Sequence, residues 1–199
     1  MCSATGDHDD SRSRMVRTAV DLIGRVGRQA ATVRKVAEAA GVSAPLVMHH
    51  FGSKAGLVRA CDEHVRSRLE AGMVIVGESR PDGGLRDLLG VDGLETAIAY
   101  VGRSMQDGGD VGREWFGHMF QMSLTAFEKL AAAGTVRQSE DPTMQALLLM
   151  AMDLGMVVLR PLVEEALGSS LTDPEVVERW MRTEFDLLMH GLIVEKEQG

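Results

Sequence analysis

The stretch Thr32–Lys54, TVRKVAEAAGVSAPLVMHHFGSK, decides how this chain is read. Thr32 is placed to cap a helix, because its hydroxyl can accept from the free N–H groups two and three residues on. Val33, Val36, Ala37 and Ala40 then recur at helical spacing, with Arg34, Lys35 and Glu38 on the other side. Gly41 ends that helix, since the left-handed position after a helix costs glycine almost nothing. Ser43 caps a second helix, and Pro45 falls in its first turn, where a missing N–H has no intrahelical partner to lose. Val47 and Phe51, four residues apart, form the inward pair. Ala44, Pro45, Leu46, Met48, His49 and His50 are left partly or wholly outward. Ser53 caps a third, longer helix that starts at Lys54.

Two helices joined by a short turn with glycine in it form the helix-turn-helix pattern, whose second helix lies in the major groove of DNA. The outward residues Leu46, Met48, His49 and His50, beside Arg34 and Lys54, make a mixed cationic and apolar face suited to phosphates and thymine methyls. Charge distribution agrees. The formal net charge is −8, yet from His8 to Arg68 eleven Lys/Arg stand against six Asp/Glu, leaving +5. From Leu69 onward ten basic residues face twenty-two acidic ones, leaving −12. A basic end on an acidic body is expected when one end faces phosphate and the other keeps the molecule soluble.

Thr32-Val33-Arg34-Lys35-Val36-Ala37, Gly41-Val42-Ser43, Leu46 to Phe51, Ser53-Lys54 and Leu57 together resemble the TetR family of bacterial transcription regulators. The likeness covers roughly the first third of the chain. It implies DNA-binding residues Thr32, Arg34, Ser43, Ala44, Pro45, Leu46, Met48, His49, His50 and Lys54. Among them Arg34 and the start of the second helix would face base edges, and Thr32, His50 and Lys54 would meet phosphate. Arg34 has guanine as its bidentate choice. Family members often carry Tyr where this chain has Met48, so one hydroxyl contact to phosphate is missing. That is worth about 1 kcal/mol, too little to abolish a multi-phosphate interface.

The remaining sequence reads as all-α: an N-terminal three-helix helix-turn-helix domain (8–56) joined by a long helix to a C-terminal helical domain (57–195). Met1 to Asp9 is expected to be disordered, and a first helix is expected from about Asp10 to Val26 with Met15, Ala19, Leu22 and Ile23 on one face. The third helix of the motif should run through Leu57, Val58, Cys61, Val65 and Leu69 to about Val76. A connector follows over Gly77–Gly93. Further helices are expected from Leu94 to Met105, from about Val111 to Ala132, from Pro142 to about Leu167, and from a Thr172/Glu175 capping box onward through Leu192. Ala146 to Leu159 is apolar but interrupted by Asp153 and too short to span a bilayer, so it is expected to be a buried helix. No apolar signal core stands at the N-terminus, which points to the cytoplasm. Cys2 and Cys61 imply no disulfide framework.

The resemblance implies a homodimer in which the last two long helices pair with their copies, reading a palindromic operator in double-stranded DNA. Leu147, Leu159, Val177, Trp180, Met181 and Leu188 are the expected dimerisation residues. It also implies a small-molecule effector in the second domain, with repression as the usual outcome. Tyr100, Met105, Trp115, His118, Met119, Met122, Met150, Asp153 and Met156 are the candidate ligand-binding residues, because Met adapts to irregular ligands and polar groups on apolar helices need partners. Met at helical spacing is more often ordinary core packing. Asp153 serves a dimer interface, an internal hydrogen bond or a ligand, and Arg160, two turns on, is expected to line the same cavity. A dimeric DNA-binding protein without an effector is the alternative. An enzyme fits poorly: His49, His50, His64 and His118 show no metal-ligand spacing, and no Gly-rich loop or nucleophile elbow is present. No cofactor, metal or membrane partner is expected.

Overall fold

A computed structural model of the chain describes residues 4–78, 92–171 and 173–191. These form nine helices and no strand: α1 (Ala4–Ala30), α2 (Val33–Ala39), α3 (Ala44–Phe51), α4 (Lys54–Glu78), α5 (Leu94–Asp107), α6 (Gly109–Ala132), α7 (Pro142–Val158), α8 (Arg160–Leu167) and α9 (Pro174–His190). The all-α expectation holds, with an N-terminal helix-turn-helix followed by a helical C-terminal half.

Local chemistry sets the motif's geometry. Thr32 Oγ1 accepts from Lys35 N at 3.3 Å, and Ser43 Oγ accepts from Leu46 N at the same distance. Between them Gly41, at φ 67°, closes α2 with two bonds: its own N–H donates to Glu38 O, and the Val42 N–H donates to Ala37 O. This pair of bonds is the Schellman arrangement, which satisfies the orphan carbonyls of the last turn. Ser53 Oγ then accepts from Gly56 N at 3.0 Å to start α4. The motif's interior is one cluster in which Met15, Ala19, Val20 and Ile23 of α1 pack with Val36 and Ala37 of α2, Val47 of α3, and Leu57, Cys61 and Val65 of α4.

α1 begins at Ala4, not near Asp10. Its regular part ends close to where periodicity places it. Gly27 adopts φ 82° and ψ 164°, and one further turn runs to Ala30. That turn is directed back toward the second half of the molecule, where α1 lies along α5, its most extensive helix partner. Gly24 makes this approach close, since a side chain there would meet the Tyr100 backbone N at 3.2 Å.

Two expectations for the later helices are corrected. The helix from Pro142 does not reach Leu167. It stops at Val158, and α8 leaves at a bend of 77°. Pro161 is the cause: it has no N–H to give the Val157 carbonyl and its ring clashes with that carbonyl. The Val158 carbonyl is taken instead by Gln106 Nε2 of α5 at 2.6 Å. The last helix is capped by Asp173, whose carboxylate accepts from Glu175 N at 3.0 Å, with Pro174 first in the helix. Thr172, most of the 77–93 connector and Leu192 lie outside the described residues. Among the described residues no single helix is long and apolar enough to cross a membrane.

Candidate DNA-reading face and regulatory interior

Capping at both ends of α2 and α3 fixes which side chains leave the surface. Arg34, Lys35, Pro45, Met48 and His49 are exposed together with Thr32 and Ser43; Ala44, Leu46 and His50 are half-buried, and both Ala44 and Leu46 lean on the core. Arg34 makes no hydrogen bond or ion pair among the described residues, so its guanidinium is available to a partner. Phe51 is half-buried under the Arg12 guanidinium, 5.4 Å from its ring centroid, which ties α3 to α1. Lys54 is more committed than its sequence position implies. Its Nζ donates to the Gln29 carbonyl at 3.0 Å, so it closes the last turn of α1 as well as standing at the start of α4.

Immediately behind Gln29 lies a network that sequence reasoning missed. Arg28 of α1 presents both Nη atoms to the Asp62 carboxylate of α4, and Tyr100 Oη of α5 donates to the same carboxylate at 2.8 Å. The Arg28 guanidinium also lies 5.3 Å from the Tyr100 ring centroid. Tyr100 is wholly buried, while the Arg28 and Asp62 side chains are about one-fifth exposed at 19% and 21%. Burial, then the Asp62 charge and hydrogen bond, hold the phenol well above its ordinary range, so it stays a donor at every physiological pH. One carboxylate therefore joins three helices from both halves of the chain. Only Tyr100 is visible as a candidate in the sequence. Its partners are 38 and 72 positions away, and nothing local marks them.

Around Tyr100 the structure brings together two of the candidate residues, Trp115 and His118. The Trp115 ring meets Tyr100 edge-on at 5.9 Å and His118 edge-on at 5.8 Å, with the Arg66 guanidinium 5.6 Å from the indole. Met105, Met119 and Met122 are half-buried against the hydrophobic core to which Tyr100 and Trp115 belong. Burial, and next the Arg66 charge, lower the His118 pKa, so its ring is neutral at pH 7. Met150 is buried on α7 and Met156 half-buried. An open cleft of about 530 Å³ lies elsewhere, between α1, α4 and the start of α5, beside Arg17, His64, Arg68 and Asp92.

Asp153 does not share a cavity with Arg160. The bend at Leu159 carries Arg160 away, to Glu164 Oε1 at 2.9 Å and Ser170 Oγ at 3.5 Å. Asp153 instead faces Trp180 and Glu184 of α9. Desolvation between the two helices, and then the Glu184 carboxylate, push Asp153 up to about 7, although the residue keeps appreciable solvent exposure in the single chain. Nor is α7 the buried helix its composition suggests. Ala146, Met150 and Leu154 face inward, while Met144, Leu148 (62% exposed) and Met152 form an open apolar row. α9 adds Phe185, Leu188 (56%) and Met189 (62%). Of the expected dimerisation residues, Leu159 and Leu188 are exposed, whereas Leu147, Val177, Trp180 and Met181 are half-buried. Two helices thus carry apolar rows that the single chain leaves uncovered, a feature that marks interaction surfaces.

A capped helix-turn-helix with an exposed second helix beside the exposed Arg34 and Lys35 of the first, joined to a helical second half, defines the class of molecule: a helix-turn-helix DNA-binding protein. The family follows from comparison with known proteins. Residues 16–61 match the model for bacterial regulatory proteins of the TetR family, and residues 92–194 match the tetracyclin repressor-like C-terminal domain. The chain belongs to the TetR family. It is 35% identical over 137 residues to the HTH-type transcriptional regulatory protein RaaS of Mycobacterium tuberculosis, covering 68% of this chain and 64% of that protein. Its fold is similar to that of the TetR-family transcriptional regulator PfmR of Thermus thermophilus, with TM-score 0.63 and 18% identity over 92% of this chain and 98% of that one. It is also similar to Thermus thermophilus FadR, a TetR-family repressor solved with lauroyl-CoA. There the TM-score is 0.52 and the identity 17%, over 94% and 98% of the two chains.

Proposed function

We propose that this protein is a ligand-responsive transcriptional repressor that binds a palindromic operator as a homodimer and is released by a small hydrophobic or amphipathic effector. The observation that carries the reading is the exposed face of α2 and α3, fixed by four local caps and centred on the unpaired Arg34. Around it, Thr32, Ser43, Ala44, Pro45, Leu46, Met48, His49, His50 and Lys54 meet backbone and base edges, and Arg34 supplies base readout. Residues 8–56 act as the DNA-binding domain and 57–195 as the effector and dimerisation domain. The uncovered rows on α7 and α9 support pairing of these two helices with their copies, so that two reading helices are presented one DNA turn apart. The Tyr100–Trp115–Met interior supports an effector with a long apolar part, and the acyl-CoA bound by the Thermus FadR neighbour is a molecule of that kind. Catalysis has no part in this reading, which places the protein in the cytoplasm beside the DNA it reads.

The test is fluorescence anisotropy with labelled DNA from the region next to the gene, at about 0.15 M salt, where non-specific binding is weak. Parent protein should bind it far better than random DNA of equal length. Arg34→Ala should lower that preference, and lauroyl-CoA or a related amphiphile should release the complex. Equal binding of both DNAs would remove the regulator reading.

A further inference from the structure

Two buried polar atoms in the interior of the C-terminal half have no hydrogen-bond partner among the described residues: Ser104 Oγ and His118 Nε2. Ser104 is 0% exposed. A helical serine usually returns its hydroxyl to a carbonyl one turn back. This one does not, and buried polar groups are rarely left so. The two atoms also flank the aromatic pair described above. Ser104 follows Tyr100 by one turn on the inward face of α5, and its backbone lies against Gly112 of α6. Trp115 comes one turn further along α6 and His118 the next, half-buried and edge-on to the indole. From Gly112 to His118 is roughly 9 Å, six residues at about 1.5 Å each. Met105 of α5 and Met119 and Met122 of α6 are half-buried on the same two helices and pack against the core that holds the Tyr100 and Trp115 rings, and methionine side chains repack readily.

We infer that Ser104 and His118 are the polar anchors of the effector: an elongated molecule with a hydrogen-bonding group at each end of an apolar spacer. This rests on the effector reading above and names the chemistry that site selects. The inner end carries an acceptor, a carbonyl or carboxylate oxygen, that accepts a hydrogen bond from the Ser104 hydroxyl. The outer end carries a hydroxyl or amide that meets the neutral His118 ring near the surface. The spacer lies along Trp115, displacing methionine side chains. Because Tyr100 belongs to the same cluster and holds Asp62 and through it Arg28, a ligand seated there bears directly on the end of α1.

The probes are 10-hydroxydecanoate, with polar groups at both ends, and decanoate, with one, assayed by release of the labelled DNA and by melting temperature. The parent should respond to the two-ended compound at about fivefold lower concentration, the worth of one net hydrogen bond. His118→Phe should erase most of that difference, whereas Ser104→Ala should weaken the response to both compounds about equally. Ser104→Ala should leave the ligand-free melting temperature unchanged or raised, since it removes a hydroxyl that no group among the described residues uses. Equal response of the parent to both compounds overturns the assignment. So does a Ser104→Ala protein that melts lower and keeps its response, which would make Ser104 structural. If lauroyl-CoA releases DNA and neither decanoate does, the anchor assignment fails and the effector reading stands. If all three are inert, the effector reading fails with it.

Discussion

Replacing Tyr100 with Phe tests whether the Arg28–Asp62–Tyr100 network holds the two halves of the chain together. The ring stays, so packing against Trp115 and the stacking of Arg28 are kept. Only the phenol hydrogen is lost from Asp62. A hydrogen bond to a charged acceptor contributes about 1.5–3 kcal/mol. Asp62 retains both Arg28 contacts and some solvent, so the lower half of that range applies, about 1.5–2 kcal/mol. For a chain of this size each kcal/mol moves the melting temperature by about 2–4 °C, giving a fall of roughly 3–8 °C. Asp62→Ala should cost more, because it strands the Arg28 charge and the phenol together; a broken buried pair costs about 3–5 kcal/mol and this one is slightly open, so the low end is expected. Thermal unfolding followed by far-UV circular dichroism, at fixed protein concentration and neutral pH, reads both. A Tyr100→Phe protein melting within about 1 °C of the parent would refute the network's structural weight. So would an Asp62→Ala protein no less stable than Tyr100→Phe.

Other outcomes follow from single sites. Gly27→Ala should destabilise the protein by at least 1–2 kcal/mol, roughly the left-handed backbone penalty, because its new Cβ would also sit 2.7 Å from Asp107 Oδ2; urea titration checks it. Cys61 is fully buried and its thiol is pushed up to about 12, chiefly by burial, so native protein should resist maleimide labelling at pH 8 and react only once unfolded. Asp153 titrates near 7 when folded against about 3.9 unfolded, so the folded state holds the extra proton. Stability from this group is therefore present below about pH 4 and declines as pH rises through 7. Asp153→Asn should flatten the stability profile between pH 5 and 8, and an unchanged slope would exclude Asp153 as its source.

What the sequence revealed and what it hid divide along physical range. Thr32, Gly41, Ser43 and Ser53 act on groups within about four residues, so their caps and turns are legible one residue at a time. The Pro161 break is equally local, but the helical periodicity of the run from Ala146 continues on both sides of it. The Asp62 hub is different in kind. Its partners come from α1 and α5, and no pattern of spacing announces that three helices will converge on one carboxylate. Ser104 was hidden for a related reason: a serine in an apolar stripe looks like tolerated core until its hydroxyl is seen without a partner. The open rows of α7 and α9 show the limit of periodicity on a helix apolar all round, where Leu147 and Leu148 cannot be assigned to faces from composition.

The central claim is that α2 and α3 read DNA as a symmetric pair. Hydroxyl-radical footprinting of the region beside the gene, at about 0.15 M salt, tests it most directly. Two protected half-sites related by two-fold symmetry are expected, centred about one helical turn or a multiple of it apart and weakened together by Arg34→Ala. A single asymmetric footprint, or protection no different from that on random DNA, would contradict it.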